Sequence, residues 1–229
     1  ALSSKIVNAK AHIVMPKGAP KIKVMAVKGY GAKVYLCDNN EKSRIDTCDE
    51  IINNTGANFI HPFDNENVIC GQASCAKEVF EETQGFDFMM CPVGGGGLAS
   101  GTILSSKIFS PNTEVILAEP LNASDAHESF LKKKLIPVVN PNTIADGLKT
   151  SLSERTFNII LSGANKIITV SEKEIISAMR LIWERLKIVC EPSCSVPLAA
   201  LLKEKEIFKN KNVAIILTGG NVDVKKLPF

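Results

Sequence analysis

The sequence predicts an α/β fold with a mainly parallel sheet. Short β-rich runs alternate with helix-length amphipathic stretches along the 229 residues, and several runs are almost wholly apolar, as strands covered on both faces must be. A hydrophobic content of 45% supplies a core for one large domain or two small ones.

Strands are expected at residues 12–15, 33–37, 58–61, 86–93, 114–119, 166–170 and 213–217. Helices fall between them at residues 20–28, 44–54, 68–83, 97–109, 124–132 and 172–189. In the last of these Ile175, Met179, Ile182 and Leu186 recur at helical spacing and should face the core. Ser171-Glu-Lys-Glu174 opens it as a capping box, which accounts for those residues without a functional role. Residues 135–146, punctuated by Pro137, Asn140, Pro141 and Asn142, read as a surface loop. Near residues 62–67 three short β/α units give way to a long helix, which divides the chain into a small domain at residues 1–62 and a large one at 63–229. Residues 1–9 resemble the back half of a helix with no start signal, so the chain is expected to begin in mid-element and to lack N-terminal parts of both domains.

A formal charge of +3 is spread by ordinary Lys/Glu mixing, and the densest basic run, Lys132-Lys133-Lys134, has no interleaved aromatics, which argues against a nucleic-acid partner. The seven cysteines, at 37, 48, 70, 75, 91, 190 and 194, lack C-x-x-C or disulfide-framework spacing and are expected to be buried free thiols in a reducing compartment. No apolar stretch reaches membrane-spanning length and no signal peptide opens the chain, so a cytoplasmic protein with no membrane partner is expected.

The motif of most chemical weight is Cys91-Pro-Val-Gly-Gly-Gly-Gly-Leu-Ala-Ser100, with Gly94, Gly95, Gly96 and Gly97 between an apolar strand and a helix. Residues without side chains turn tightly and aim N–H groups inward, and the helix N-terminus adds its dipole, so the run reads as a phosphate cradle. Gly94-x-Gly96-x-x-Ala99 also fits a dinucleotide fingerprint, with Glu119 about twenty residues on in the position of a ribose-binding acid. Three weaker signals accompany it. Leu217-Thr-Gly-Gly-Asn221 places the Thr218 hydroxyl at the carboxyl end of a buried strand, where α/β sheets bind ligands. Glu119 and Asp125 lie in a turn-prone loop that either holds a hard cation or is solvated, with Ser124 as a helix cap. Glu191 precedes Pro192 at the first position of a helix, where it is either a helix-start charge or a functional group. His12, His61 and His127 have no visible nucleophile or ligand partner and read as structural or surface residues.

Taken in order, these pieces resemble the fold-type II pyridoxal-phosphate enzymes, within them the serine racemase and threonine/serine dehydratase group. The resemblance rests on Gly29-Tyr-Gly-Ala32, His61-Pro-Phe-Asp64, Pro92-Val-Gly-Gly-Gly-Gly97, Ala118-Glu-Pro120, Thr143-Ile-Ala-Asp-Gly147, Trp183-Glu-Arg185, Glu191-Pro-Ser193 and Leu217-Thr-Gly-Gly-Asn221. It implies a two-domain architecture and pyridoxal 5'-phosphate as cofactor, with Gly94 to Gly97 on the phosphate and Thr218 on the pyridine nitrogen. Gly147 and Glu191 would line the pocket. A neutral hydroxyl at the ring nitrogen moderates carbanion delocalisation, which suits racemisation or β-elimination of serine- or threonine-type hydroxy amino acids. The resemblance further implies a Mg²⁺ or Ca²⁺ site at Glu119, the Ala123 carbonyl and Asp125, a small-molecule amino-acid substrate, and a homodimer for the intact enzyme.

Departures from the pattern are specific. Thr218 stands where serine is usual, Gly71-Gln-Ala-Ser74 replaces Gly-Gln-Gly-Thr, and Glu191-Pro-Ser-Cys-Ser195 replaces Glu-Pro-Ser-Gly/Ala-Ala. Neither the Ser-x-Lys-x-Arg motif of the Schiff-base lysine nor the Ser-x-Gly-Asn-His-Gly carboxylate loop occurs, and Ser3-Ser4-Lys5 lies in a helical stretch. No catalytic residue is therefore assigned, and the chain as written is expected to lack turnover. Two other readings stay open: a nicotinamide-binding oxidoreductase domain, and a non-catalytic paralogue that binds metal or an intact homologue.

Overall fold

The computed structural model describes residues 1–229, the side chain of Glu41 excepted. The chain divides into two units, residues 1–60 with 223–225 and residues 61–222 with 226–229. The first unit runs α1 (Leu2–Ile6), β1 (His12–Pro16), α2 (Lys21–Gly29), β2 (Lys33–Cys37) and α3 (Glu41–Thr55). Its strands pair in parallel, His12 opposite Lys33 through Pro16 opposite Cys37. Asn40 caps α3 by accepting from Ser43 N at 2.8 Å, and Gly56, at φ 68°, ends it in the left-handed conformation that glycine tolerates.

The second unit runs α4 (Glu66–Glu82), β3 (Phe88–Pro92), α5 (Gly97–Phe109), β4 (Glu114–Pro120), α6 (Asp125–Lys132), α7 (Glu154–Gly163), β5 (Lys166–Val170), α8 (Glu172–Leu181), α9 (Pro192–Lys203) and β6 (Val213–Ile215). Its sheet has the order β5-β4-β3-β6, every pairing parallel. Because strand side chains alternate, β3 sends Met89 and Cys91 into one core with Phe80, Ile103, Leu117, Phe157 and Ile160. Phe88 and Met90 enter the other, with Ile116, Ile168, Ile175, Val196 and Phe208. Both faces of the sheet are thus covered by helices, as the apolar runs require. Among the described residues no helix is long and apolar enough to cross a membrane.

Four expectations are corrected. Residues 58–61 form no strand: Pro62 lacks an N–H for a ladder, and the His61 ring turns the chain instead, its Nδ1 accepting from Asp64 N at 2.8 Å. The helix expected over 172–189 stops at Leu181 and passes into a π turn, Ile182–Leu186, that ends at Lys187 with φ 59°. The widened turn leaves Ile182 buried but carries Leu186 out to 57% exposure, where strict helical spacing would have buried it. The α7 helix was not anticipated, although Ser153 and Thr156 form a capping box and Phe157 and Ile160 share its buried face. Cys70 is exposed rather than buried, because α4 turns Ile69, Ala76 and Phe80 inward and leaves residue 70 on the solvent side. The Ser171 capping box forms as expected, with Ser171 N donating to Glu174 Oε2 at 2.7 Å and the hydroxyl accepting from Glu174 N at 3.4 Å.

Two glycines let α5 sink into its neighbours. A Cβ on Gly101 would lie 2.6 Å from Ala73 N and 2.9 Å from the Gln72 carbonyl carbon of α4, and one on Gly163 would lie 2.3 Å from the Ile103 Cγ2 atom of α5. The Ser105 hydroxyl closes the α4 crossing by donating to Ala73 O at 2.7 Å. The departure from the family pattern at Ala73 thus lies at a helix crossing that brings two backbones into direct contact. Gly101→Ala should therefore destabilise the protein by about 1–3 kcal/mol, the usual cost of overpacking, read as a lower urea midpoint; an unchanged midpoint would contradict this crossing.

Candidate cofactor site

The turn from β3 into α5 is built of buried residues. Val93 N extends the ladder by donating to Ala118 O at 2.9 Å, and Gly94 to Gly97 then reverse the chain into α5, with Gly96 in the left-handed region at φ 88°. Gly96 alone needs glycine for its backbone angles. The surroundings exclude a side chain at Gly95 and Gly96 and crowd one at Gly94 and Gly97. An added Cβ would lie 3.1 Å from Gly147 O at Gly94, 2.3 Å from the Phe63 ring at Gly95, 2.7 Å from Thr156 Cβ at Gly96, and 3.0 Å from Phe63 Cβ at Gly97. Among the described residues no backbone carbonyl accepts from the N–H groups of Gly94, Gly95, Gly96, Gly97 or Leu98, and the buried Ser100 hydroxyl has no partner. A run of unbonded N–H groups at a helix N-terminus suits a phosphate dianion, so the turn fits the phosphate of pyridoxal phosphate.

The loop is held from outside. Thr156 Oγ1 donates to Gly95 O at 2.9 Å, tying the turn to the first turn of α7. Phe63 lies against Gly95 and Gly97 and is placed by the His61 turn. Asp64 and Glu66 then pair with Arg155, the neighbour of Thr156, at 3.0 and 2.5 Å. These ion pairs are exposed and contribute little energy individually; their effect is to fix α7 in register with the Phe63 segment. The sequence motif His61-Pro-Phe-Asp64 thus acquires a role that its composition did not disclose.

From Gly94 the contacts continue to the other expected residues. Gly147 N donates to Ser193 Oγ at 3.1 Å, and Glu172 Oε2 holds the segment before it by accepting from Ile144 N at 2.8 Å. Glu191 N donates to Gly219 O at 3.0 Å, which brings the start of α9 against the turn that carries Thr218. Gly220 packs onto Val189, where a Cβ would lie 2.3 Å from the carbonyl oxygen. Gly94 to Gly97, Gly147, Glu191 and Thr218 are therefore linked by a continuous set of contacts, and Thr218 is solvent-exposed. Ser193, quoted only as part of a motif, is the missed member; a hydroxyl at the second position of a helix facing a glycine-bearing turn was its only signal.

The acidic loop is arranged differently from a solvated one. Glu119, 1% exposed, accepts from Ala126 N at 3.0 Å and His127 N at 2.9 Å, so it caps α6 from the preceding strand, while Ser124 makes no side-chain cap. Burial pushes the Glu119 carboxyl up to about 9, with the Asp125 charge adding to the shift and the two amides opposing it. Burial likewise raises Asp125 to about 6, and its Oδ2 is buried without a partner. Among the described residues no three His, Cys, Asp or Glu side chains cluster as metal ligands; the expected site has two carboxylates and the carbonyl of Ala123, which is itself buried. The cap also removes Glu119 as a ribose-binding acid, since both oxygens face α6. His127 is structural, its Nδ1 meeting Ile167 O at 2.9 Å.

Comparison with known proteins identifies the family. The family model described as "Pyridoxal-phosphate dependent enzyme" matches residues 1–219. The chain is 44% identical to beta-hydroxyaspartate dehydratase of Paracoccus denitrificans (strain Pd 1222), over 95% of this chain and 69% of that protein. The crystal structure of serine racemase from Dictyostelium discoideum superposes with a TM-score of 0.90 at 42% identity, covering 97% of this chain and 72% of that one. The threonine deaminase of T.th. superposes at 0.91 and 35% identity, covering 97% and 73%. The nicotinamide reading is thereby set aside. With a family match across nearly its whole length and relatives at these identities, the chain belongs to the pyridoxal-phosphate-dependent enzymes, in their fold-type II racemase and dehydratase group.

Proposed function

We propose that residues 61–222 bind pyridoxal 5'-phosphate, with the phosphate on the amides of Gly94 to Leu98 and the ring bordered by Gly147, Glu191 and Thr218. The protein then serves racemisation at Cα, or loss of the β-hydroxyl with release of ammonia, on serine- or threonine-type hydroxy amino acids. The observation that carries the reading is the set of unbonded N–H groups in a buried turn at the start of α5. When bound, the cofactor supplies an electron sink for a carbanion at the amino-acid Cα. The chain's own residues bind and orient: the turn neutralises phosphate charge, Thr156 and Phe63 keep the turn from relaxing, and Thr218 offers a neutral partner to the ring. The names of the relatives, a hydroxyaspartate dehydratase, a serine racemase and a threonine deaminase, support a hydroxy amino acid as substrate.

The 229 residues contain no Ser-x-Lys-x-Arg motif, and Lys5 is an exposed residue of α1, so residues 1–229 by themselves should bind cofactor without turning substrate over. Glu119, the Ala123 carbonyl and Asp125 are proposed to take Mg²⁺ or Ca²⁺. Two buried carboxylates, one with an unpartnered oxygen, are costly to ionise without a cation, and oxygen donors suit hard divalent ions.

Pyridoxal phosphate titrated into the protein should bind, and inorganic phosphate should displace it. Gly95→Asp should weaken binding on the order of 100-fold through like-charge conflict and loss of charge-assisted hydrogen bonds. Because the new side chain also meets Phe63, the phosphate competition carries the test if that variant does not fold; cofactor affinity indifferent to phosphate would contradict the cradle. Mg²⁺ or Ca²⁺ should raise the melting temperature of the parent and leave Asp125→Ala unchanged. Equal stabilisation of both would place any cation elsewhere.

A further inference from the structure

At the ends of α5 and α7 farthest from the glycine turn lies a cleft of about 200 Å³ that the binding reading above does not use. Lys107, in the last turn of α5, reaches across to the last turn of α7 and donates to Ser162 O at 3.2 Å and Ser162 Oγ at 3.4 Å. Gly163 makes that reach possible. A Cβ there would lie 2.9 Å from Lys107 Cε and 3.1 Å from Nζ. The ammonium therefore rests on a helix C-terminus, where the dipole favours a cation, and keeps a third N–H for a ligand.

The entry to β4 contributes the other polar groups. Asn165 N donates to Val115 O and its Oδ1 accepts from Val115 N, both at 2.9 Å, so the carboxamide is fixed and its Nδ2 is the free end. Glu114, beside Val115, also lines the cleft, and among the described residues its carboxylate takes part in no ion pair. Ile103, Pro111 and Val115 add apolar lining. One cation, one amide donor and one carboxylate thus share a small concave space, the layout of a small-molecule site with few polar groups. A simple anion would meet Glu114 and a simple cation would meet Lys107. A zwitterion answers both.

We propose that this cleft is a second small-molecule site, for a small α-amino acid whose carboxylate meets Lys107 and Asn165 Nδ2 and whose ammonium meets Glu114. At about 30 Å³ for each water-sized group, the volume holds about six or seven non-hydrogen atoms, the size of alanine or serine. The site stands apart from the cofactor reading, because α5 and α7 each give their first turn to the glycine loop and their last turn to the cleft. An amino acid bound here would bridge the two helices that hold that loop.

The test follows backbone resonances of the parent protein while L-alanine, which has no β-hydroxyl to eliminate, is added. Those of Lys107, Glu114, Gly163 and Asn165 should move together on one saturating curve in the range of roughly 1 mM, and should still do so with inorganic phosphate present. L-Lactate, of the same size but with a hydroxyl in place of the ammonium, should bind about fivefold more weakly, the worth of one exposed ion pair. Lys107→Met and Glu114→Gln should each weaken L-alanine by about the same factor, and Glu114→Gln leaves the contact of Lys107 with α7 intact. Resonances that stay in place, lactate binding as tightly as alanine, or either variant with the parent's affinity overturns the proposal. Loss of the alanine curve when phosphate is added also overturns it, by making the two sites one. Glycine-turn resonances unmoved by phosphate, with the alanine curve intact, would overturn the cradle and leave this site standing.

Discussion

The hydrogen bond from Thr156 Oγ1 to Gly95 O is the point on which the site depends, because a turn of four glycines has no stiffness of its own. Its shape is imposed by what surrounds it: the Phe63 ring on one side, Thr156 on another, and the Gly147–Leu148 segment on a third. Each of those neighbours is anchored in turn, Phe63 by the His61 turn, Thr156 by its capping box with Ser153, and Gly147 by Ser193. Residues far apart in the chain therefore converge to keep a short stretch of N–H groups unbonded and aligned with the start of α5. Preorganisation of this kind is what lets an anion bind without the cost of first ordering its donors.

Much of this was legible in the sequence, and the reasons differ by residue. The buried strands Phe88–Pro92 and Lys166–Val170 announce themselves because a strand covered on both faces must be apolar throughout. The Ser171 box and the glycine run are local signals whose meaning does not require distant partners. What escaped is whatever tertiary contact decides. Residues 58–61 have strand-like side chains, yet the adjacent proline and the His61 ring win. Leu186 has the spacing of a core residue until the π turn shifts it outward. The α7 helix was overlooked although its capping residues were in view, and the roles of Ser193 and Phe63 exist only once separate segments meet.

Glu119 shows how one side chain can answer to two demands. As a cap it gives both oxygens to α6 amides, a structural task open to the serine at position 124, which makes no side-chain cap. As a buried carboxylate beside Asp125 it is costly to ionise, and a cation would offset that cost. The group that shapes the backbone here is also the group that would tune what the site binds.

The central claim, that the amides at the start of α5 receive a phosphate, is tested most directly by following backbone N–H resonances as inorganic phosphate is added. The account predicts that Gly94, Gly95, Gly96, Gly97 and Leu98 shift together along one saturating curve while the α6 amides of Ala126 and His127, already bonded to Glu119, stay in place. Saturable shifts centred elsewhere, with the glycine resonances unmoved, would contradict it.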